Sequence, residues 1–260
     1  MSKMWDEPSA SRAFRNSGAL AIVGIALLAL TITAPAFASN LVVNGDFETT
    51  TNGPNFQFDN NTVATGWTSN GYNFIFAPGA ADTTGANGQF GNLQLWGPGN
   101  GSANGLPATS PSGGNYVAAD GAFQVGAISQ TINGLTMGNS YVVSFWWAGA
   151  QQSGFTGATT EQWQVSLGGQ TQSTVVLNNA NHGFTGWQSQ SFTFTADNTS
   201  DLLSFLAVGT PNGVPPFVLL DGVTLNASST TPEPETLTLM ATGLMGVIGF
   251  ARRYHLKKRG

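Results

Sequence analysis

The stretch EQWQVSLGG, residues 161–169, alternates large apolar and polar side chains, so that Trp163, Val165 and Leu167 share one face of an extended chain and Gln162, Gln164 and Ser166 the other. A period of two cannot place one apolar face on a helix; it fits a strand with its inner side in a core and its outer side in water. QSFTFTA repeats the pattern, with Phe192 and Phe194 set against Thr193 and Thr195. In ISQTINGLTMGNSYVVSFWWAGA a strand runs to Ile132, turn residues follow at Asn133 and Gly134, a second break comes at Gly138 and Asn139, and a strong strand starts at Tyr141. No comparable window between the two ends of the chain has helical spacing with caps. Strands joined by Gly-rich and Asn-rich connections predict an all-β fold, an antiparallel β-sandwich of the jelly-roll kind. The region from Gly79 to Gly114, which contains GPGNGSANG, fits no strand pattern and reads as long loops. Its glycines do not make a phosphate loop, because no Lys and no Ser or Thr follows in the required register.

Charge narrows the partners. All 8 basic residues lie at the two ends, and residues 39–230 hold no Lys or Arg, against Asp46, Glu48, Asp59, Asp82, Asp120, Glu161, Asp197, Asp201 and Asp221. Phosphate neutralisation needs basic side chains, so nucleic acid is not a partner of this region. Anionic lipids and acidic polysaccharides are disfavoured for the same reason unless a cation bridges them. The chain has no cysteine, which removes disulfides and thiol chemistry and leaves the core to hold the fold.

The ends have their own logic. A basic segment precedes SGALAIVGIALLALTITAPAFAS, an uncharged run that closes on Ala36, Phe37 and Ala38, the three parts of a secretory signal peptide over residues 1–38. From Thr236 to Ala251 a second uncharged run forms a single hydrophobic helix, somewhat short of the ~20 residues that span a bilayer core unaided. Glu233 and Glu235 lie on one side of it and five basic residues on the other, which orients Pro232 outward. Pro232, Glu233 and Pro234, then the glycine-bearing helix, then Arg252 and Arg253, resemble the PEP-CTERM sorting signal of Gram-negative bacteria. That resemblance implies an inner-membrane-anchored precursor, processing by exosortase, and a destination at the cell surface or in the extracellular matrix of exopolysaccharide- and biofilm-forming bacteria. The chain thus divides into a signal peptide (1–38), a β-sandwich domain (39–230) and a sorting signal (231–260).

NLVVNGDFET at residues 40–49, TGW ending at Trp67, ISQTINGLTMGNSYVVSFW and the closing FVLLDGVTLN are similar, in order, to the pattern of carbohydrate-binding-module-like jelly-roll domains of exported bacterial proteins. The terminal strands of a sandwich are often neighbours, which would bring Glu48 and Asp221 together around a hard cation, with Asp46 as a helper. The resemblance implies a structural Ca2+ between these two segments; the alternative is that Gly45 and Asp46 only turn the chain and Asp221 bonds backbone. For glycan binding, Trp146 and Trp147 are adjacent on a strand, so one faces the core and the other outward, where Gln151, Gln152, Gln162 and Gln164 could complete a sugar-binding face. Trp163, Trp187 and Phe192 read as core.

Catalysis has little to work with. The domain's one histidine, His182, sits in NNANHGF, and no Gly-x-Ser-x-Gly elbow accompanies it. A single His also makes a poor zinc site. A glycoside hydrolase needs only two carboxylates, and Glu161 with Asp120 or Asp201 is the pair on offer. The sequence therefore points to a non-catalytic exported protein that binds exopolysaccharide or another glycan, with a structural or adhesive surface protein as the nearest alternative and a hydrolase as the distant one.

Overall fold

The computed structural model describes residues 39–228 and 243–248. The signal peptide and the sorting residues Pro232, Glu233, Pro234, Arg252 and Arg253 lie outside the described residues. Residues 243–248 are helical, with Leu244, Met245, Val247 and Ile248 exposed. No helix among the described residues is long and apolar enough to cross a membrane.

The domain is an antiparallel β-sandwich. The short strands β1 (Phe56–Gln57), β2 (Thr68–Ser69), β3 (Asn73–Phe76), β4 (Ala86–Gly88) and β5 (Gly91–Leu93) precede the longer β6 (Tyr116–Asp120), β7 (Ile128–Asn133), β8 (Ser140–Gln151) and β9 (Thr159–Leu167). Then follow β10 (Gln170–Ser173), β11 (Leu177–Asn179), β12 (Gln188–Thr195), β13 (Ser200–Thr210) and β14 (Pro216–Ala227). One sheet runs β12-β8-β14-β6-β3-β1-β4-β5 and the other β10-β9-β13-β7-β2, with β11 also paired to β9. From β6 to β9 the chain changes sheet at every step, and again from β12 to β14, as a jelly roll does. Among the named strands, the one parallel pairing joins β1 to β4.

Alternation sets what faces the core. On β9, Trp163, Val165 and Leu167 enter the space between the sheets, where Val143, Phe145 and Trp147 of β8 and Phe205 of β13 meet them. Phe205 is the aromatic hub of this layer, 5.9 Å from Trp163, 5.1 Å from Phe145 and 6.3 Å from Trp67 between ring centroids. The larger sheet also has a covered outer face. Ala148 and Ala150 of β8, Tyr116 and Ala118 of β6, and Phe217 and Leu219 of β14 form a second apolar cluster with Phe74 and Phe76.

The segment from Gly79 to Gly114 is what covers that face, and here the expectation of loops alone needs correcting. It contains β4, β5 and a short 3-10 turn at Pro98–Asn100, and its Ala80, Ala81, Ala86, Leu93, Leu95 and Leu106 are buried against the sheet. Its buried apolar residues are irregularly spaced because they fill gaps over a finished sheet, which leaves no sustained period to read.

The end strand carries a bulge. Asp221 pairs with Trp146, but Thr224 pairs with Ser144, so one extra residue lies in β14. Before it, Val218 and Leu220 face the inner core; after it, Val223 and Leu225 do. The bulge shifts the parity and leaves Asp221 on the outer face.

Replacing the hub, Phe205→Ala, is expected to cost ~3–5 kcal/mol of stability. Phe90→Ala, at a side chain 63% exposed, should stay within about 0.5 kcal/mol of the native chain. Chemical denaturation midpoints of the two variants check this; equal losses would mean that the rings around Phe205 do not form the core.

Candidate functional site

The two terminal motifs do meet. Leu41 N–H donates to the Leu225 carbonyl at 2.9 Å and Val223 N–H to the Gly45 carbonyl at 2.8 Å, so the first segment lies along the end of β14. Asp221 is fully buried; its Oδ2 accepts from the Ser110 hydroxyl and its Oδ1 has no partner among the described residues. Glu48 Oε1 accepts the Asn115 N–H at 2.6 Å. Two glycines make this crowding possible. A Cβ on Gly114 (φ +65°) would collide with the Glu48 carboxylate, and one on Gly222 (φ +59°) with the Ser112 hydroxyl. Burial pushes the Asp221 carboxyl up to about 7, and the charges of Asp46 and Glu48 raise it further against hydrogen bonds from Ser110 and Gly222. Asp46 and Glu48 thus both act on Asp221, yet among the described residues no three metal-ligating side chains converge on one point. Backbone oxygens would have to complete any cation shell.

The aromatic and amide residues singled out in the sequence do not form one face. Trp147 is buried between the sheets, while Trp146 lies half-buried on the outer face of the larger sheet, beside Gly222. Gln162 and Gln164 point away from the core of the other sheet, and Gln162 Nε2 donates to the Thr174 carbonyl at 2.7 Å. Both layers of the sandwich separate them from Trp146. Trp163 and Phe192 are core, as expected, but Trp187 belongs to the outer layer, 5.6 Å from Tyr116. His182 holds a left-handed backbone (φ 58°) and stacks on Trp96 at 4.0 Å.

The proposed carboxylate pairs are not brought together either. Asp120 shares the outer face of β6 with Tyr116 and Ala118, whereas Glu161 points between the sheets toward Gly149. A whole sheet stands between them. Glu161 pairs across to Gly209, eight residues along β13 from Asp201, or ~26 Å at about 3.3 Å per residue. Asp201 instead accepts from the Asp197 and Asn198 N–H groups and caps a turn.

A cleft that the sequence reading missed lies at the Asp120 end of β6. Its volume is about 260 Å³, and Tyr72, Phe90, Asp120, Phe123, Gln152, Phe155 and Asn212 are among its lining residues. The rings of Tyr72, Phe90 and Phe123 touch pairwise, with centroids 5.8, 5.4 and 5.7 Å apart. Three large apolar side chains stay open to water here: Phe90 at 63%, Phe123 at 41% and Phe155 at 37%. Asp120 is 1% exposed. Its Oδ1 accepts the Ala122 and Phe123 N–H groups at 2.8 and 3.0 Å, and its Oδ2 has no partner among the described residues. Burial pushes this carboxyl up to about 6 despite those two hydrogen bonds.

A polar depression adjoins it, lined by Gln57, Asp59, Asn70, Gln89 and Gln124 among others. Gln89–Phe90 and Phe123–Gln124 form the wall between the two, and Gln89 Nε2 donates to Gln124 Oε1 across it. The combination offers flat apolar rings, amides and a carboxylate in one groove.

Comparison with known families places the chain. Residues 230–253 match the PEP-CTERM protein-sorting motif, and residues 100–226 match the family described as "Protein of unknown function (DUF642)". The chain carries a PEP-CTERM sorting motif near its C-terminal end, and residues 100–226 of its strand domain are similar to the DUF642 family. It is therefore an exported protein of Gram-negative type. Comparison with curated proteins gives no match. Among solved structures, TmCBM61 in complex with β-1,4-galactotriose aligns with a TM-score of 0.44 and 15% identity, over 74% of this chain and 100% of that one. The CBM22-1 xylan-binding domain of Paenibacillus barcinonensis Xyn10C gives 0.36 and 10%, over 76% and 100%. The C-terminal family 22 carbohydrate-binding module of Clostridium thermocellum Xyn10B gives 0.36 and 11%, over 66% and 91%.

The buried acids of the domain fix the sign of its pH dependence. Asp120 titrates at about 6 and Glu161 at about 7 in the folded chain, both raised chiefly by burial, so the folded state holds protons that the unfolded state has released. The stability they contribute is complete below the unfolded values near pH 4 and is lost as pH rises through 6 to 7. In chelator, the melting temperature is expected to fall between pH 5 and pH 8, and Glu161→Gln to flatten that fall. A melting temperature that rises over the same range would overturn the assignment of these groups.

Proposed function

We propose that the exported protein is a non-catalytic, glycan-binding component of the cell surface or extracellular matrix, and that the aromatic cleft is its binding site. The observation that carries this is the set of exposed rings, Phe90, Phe123 and Phe155, over the buried Asp120. Exposed aromatics in a concave site are costly to a soluble domain unless something stacks on them, and sugar rings present the apolar C–H faces that do so. The precursor is held in the inner membrane by its C-terminal helix and processed by exosortase at Pro232–Pro234. The exposed Leu244, Met245, Val247 and Ile248 support membrane contact, and the sorting match over residues 230–253 supports the processing.

A structural Ca2+ completes the reading. The unpartnered Asp221 Oδ1, with Glu48 and Asp46 close by and backbone oxygens at hand, suits a hard oxygen-loving cation. Such an ion would tie the first segment to β14 and relieve the repulsion among the three acids.

Two experiments test this. In affinity electrophoresis against a polysaccharide panel that includes the host's own exopolysaccharide, the purified full chain should be retarded by at least one member. Phe90→Ala with Phe123→Ala should lose that retardation while keeping its melting temperature; retention without change would sink the cleft assignment. Calcium should raise the melting temperature of the native chain over that in chelator, by ~2.7 kcal/mol of stability at a hundred times the dissociation constant. Asp221→Asn should abolish the gain, and a gain that survives Asp221→Asn would place the ion elsewhere.

A further inference from the structure

The same cleft carries a more specific reading, which rests on its being a glycan site. Three carboxylates of the domain are buried with an oxygen unpartnered among the described residues, Asp120, Glu161 and Asp221. Glu161 faces inward between the sheets and Asp221 is engaged by Ser110. Asp120 lines an open cleft. A buried carboxylate is ordinarily matched by a cation or a full set of donors. The domain has no Lys or Arg with which to supply that cation, and its histidine, His182, stacks on Trp96 and is not among the residues lining the cleft. Other residues lining the cleft with Asp120 suit a positive charge. The faces of Tyr72, Phe90 and Phe123 attract cations through their ring quadrupoles. Gln152 and Asn212 offer amides for hydroxyl groups. A second acid, the exposed Asp59, lies in the adjoining depression, across the wall of Gln89–Phe90 and Phe123–Gln124.

We infer that the groove selects glycans whose sugar units carry protonated amines, one ammonium pairing with Asp120 Oδ2 while the sugar's C–H face lies on Phe90 and Phe123, and the next unit reaching toward Asp59. A neutral hydroxyl could donate one hydrogen bond to Asp120 but would leave its charge uncompensated in an apolar wall. An acidic sugar would add repulsion. At about 260 Å³ the cleft is slightly below the roughly 300–1,000 Å³ of drug-sized pockets, which matches a single sugar unit with the chain continuing outside.

Three oligosaccharides of one backbone test the choice, since β-1,4-linked glucosamine, N-acetylglucosamine and glucose oligomers differ only in an amine, an acetamide or a hydroxyl at one carbon. Titration calorimetry with the full chain near pH 6 should show the amine oligomer binding at least ten-fold more tightly than the other two. Asp120→Asn, which keeps an oxygen for the Ala122 and Phe123 N–H groups, should reduce that preference to within two-fold. Phe123→Leu should weaken the amine oligomer several-fold without touching the charge. Asp197→Asn, at an acid remote from the groove, should change nothing. An acetamide or hydroxyl oligomer that binds as tightly as the amine, and whose binding needs Phe90 and Phe123, would overturn the amine preference and leave the cleft a glycan site. A loss on Asp197→Asn equal to that on Asp120→Asn would reduce the effect to overall charge and overturn the inference. Failure of all three oligomers, joined to failure of the polysaccharide panel, would overturn both readings.

Discussion

Strands β8, β14 and β6 lie side by side with both faces covered, and the rest of the domain is arranged around that fact. A strand buried on both sides must send alternate residues into two different cores. In YVAAD, Val117 and Ala119 meet the inner layer while Tyr116 and Ala118 meet the outer one. The alanines allow close approach on both faces, and the large aromatics come from elsewhere: Trp147, Trp163 and Phe205 inside, Phe74, Phe76 and Phe217 outside. The segment from Gly79 to Gly114 is needed because that outer face cannot be left in water.

Two-sided burial also determines the electrostatics. An acid at the margin of either core is desolvated, and this domain has no Lys or Arg with which to answer it. Asp120 sits at the end of β6, Asp221 at the bulge of β14, and Glu161 at the start of β9, each at the rim of a core and each raised chiefly by burial. Their environments separate them. Asp221 gathers Ser110, Asp46 and Glu48 about the junction of the two chain ends; Asp120 opens onto aromatic rings; Glu161 is closed in with Thr159 and Asn179. The acids that a sequence reading would pair for catalysis are kept apart by the sheet or by the length of a strand.

Some of this was legible in the residues and some was not. The strands around Trp163, Phe192 and Tyr141 were readable because burial on one face leaves a period of two. The adjacency of the first segment and β14 was readable because the terminal strands of a sandwich tend to be neighbours. The grouping of Trp146 with Gln162 and Gln164 failed because consecutive strands change sheets, so β8 and β9 present their outward residues on opposite sides of the molecule. The cleft rings come from four separate segments, but a signal existed: Phe90, Phe123 and Phe155 each lie in a short loop next to glycine, in GQFG, GAFQ and SGFTG. A large ring on a glycine-rich loop has no strand neighbour to pack against, which is how it comes to face water.

The sequence by itself determined the all-β class, the absence of basic charge from the domain and the sorting signal, since each depends only on composition or on local order along the chain. Tertiary structure alone decided which acids are buried, that the irregular segment is a cover, and that Tyr72, Phe90, Phe123 and Phe155 meet over Asp120. Those depend on contacts between residues far apart in the chain, as between Ser110 and Asp221, set by which strands pair and which face each loop crosses. Period and propensity carry no information about either.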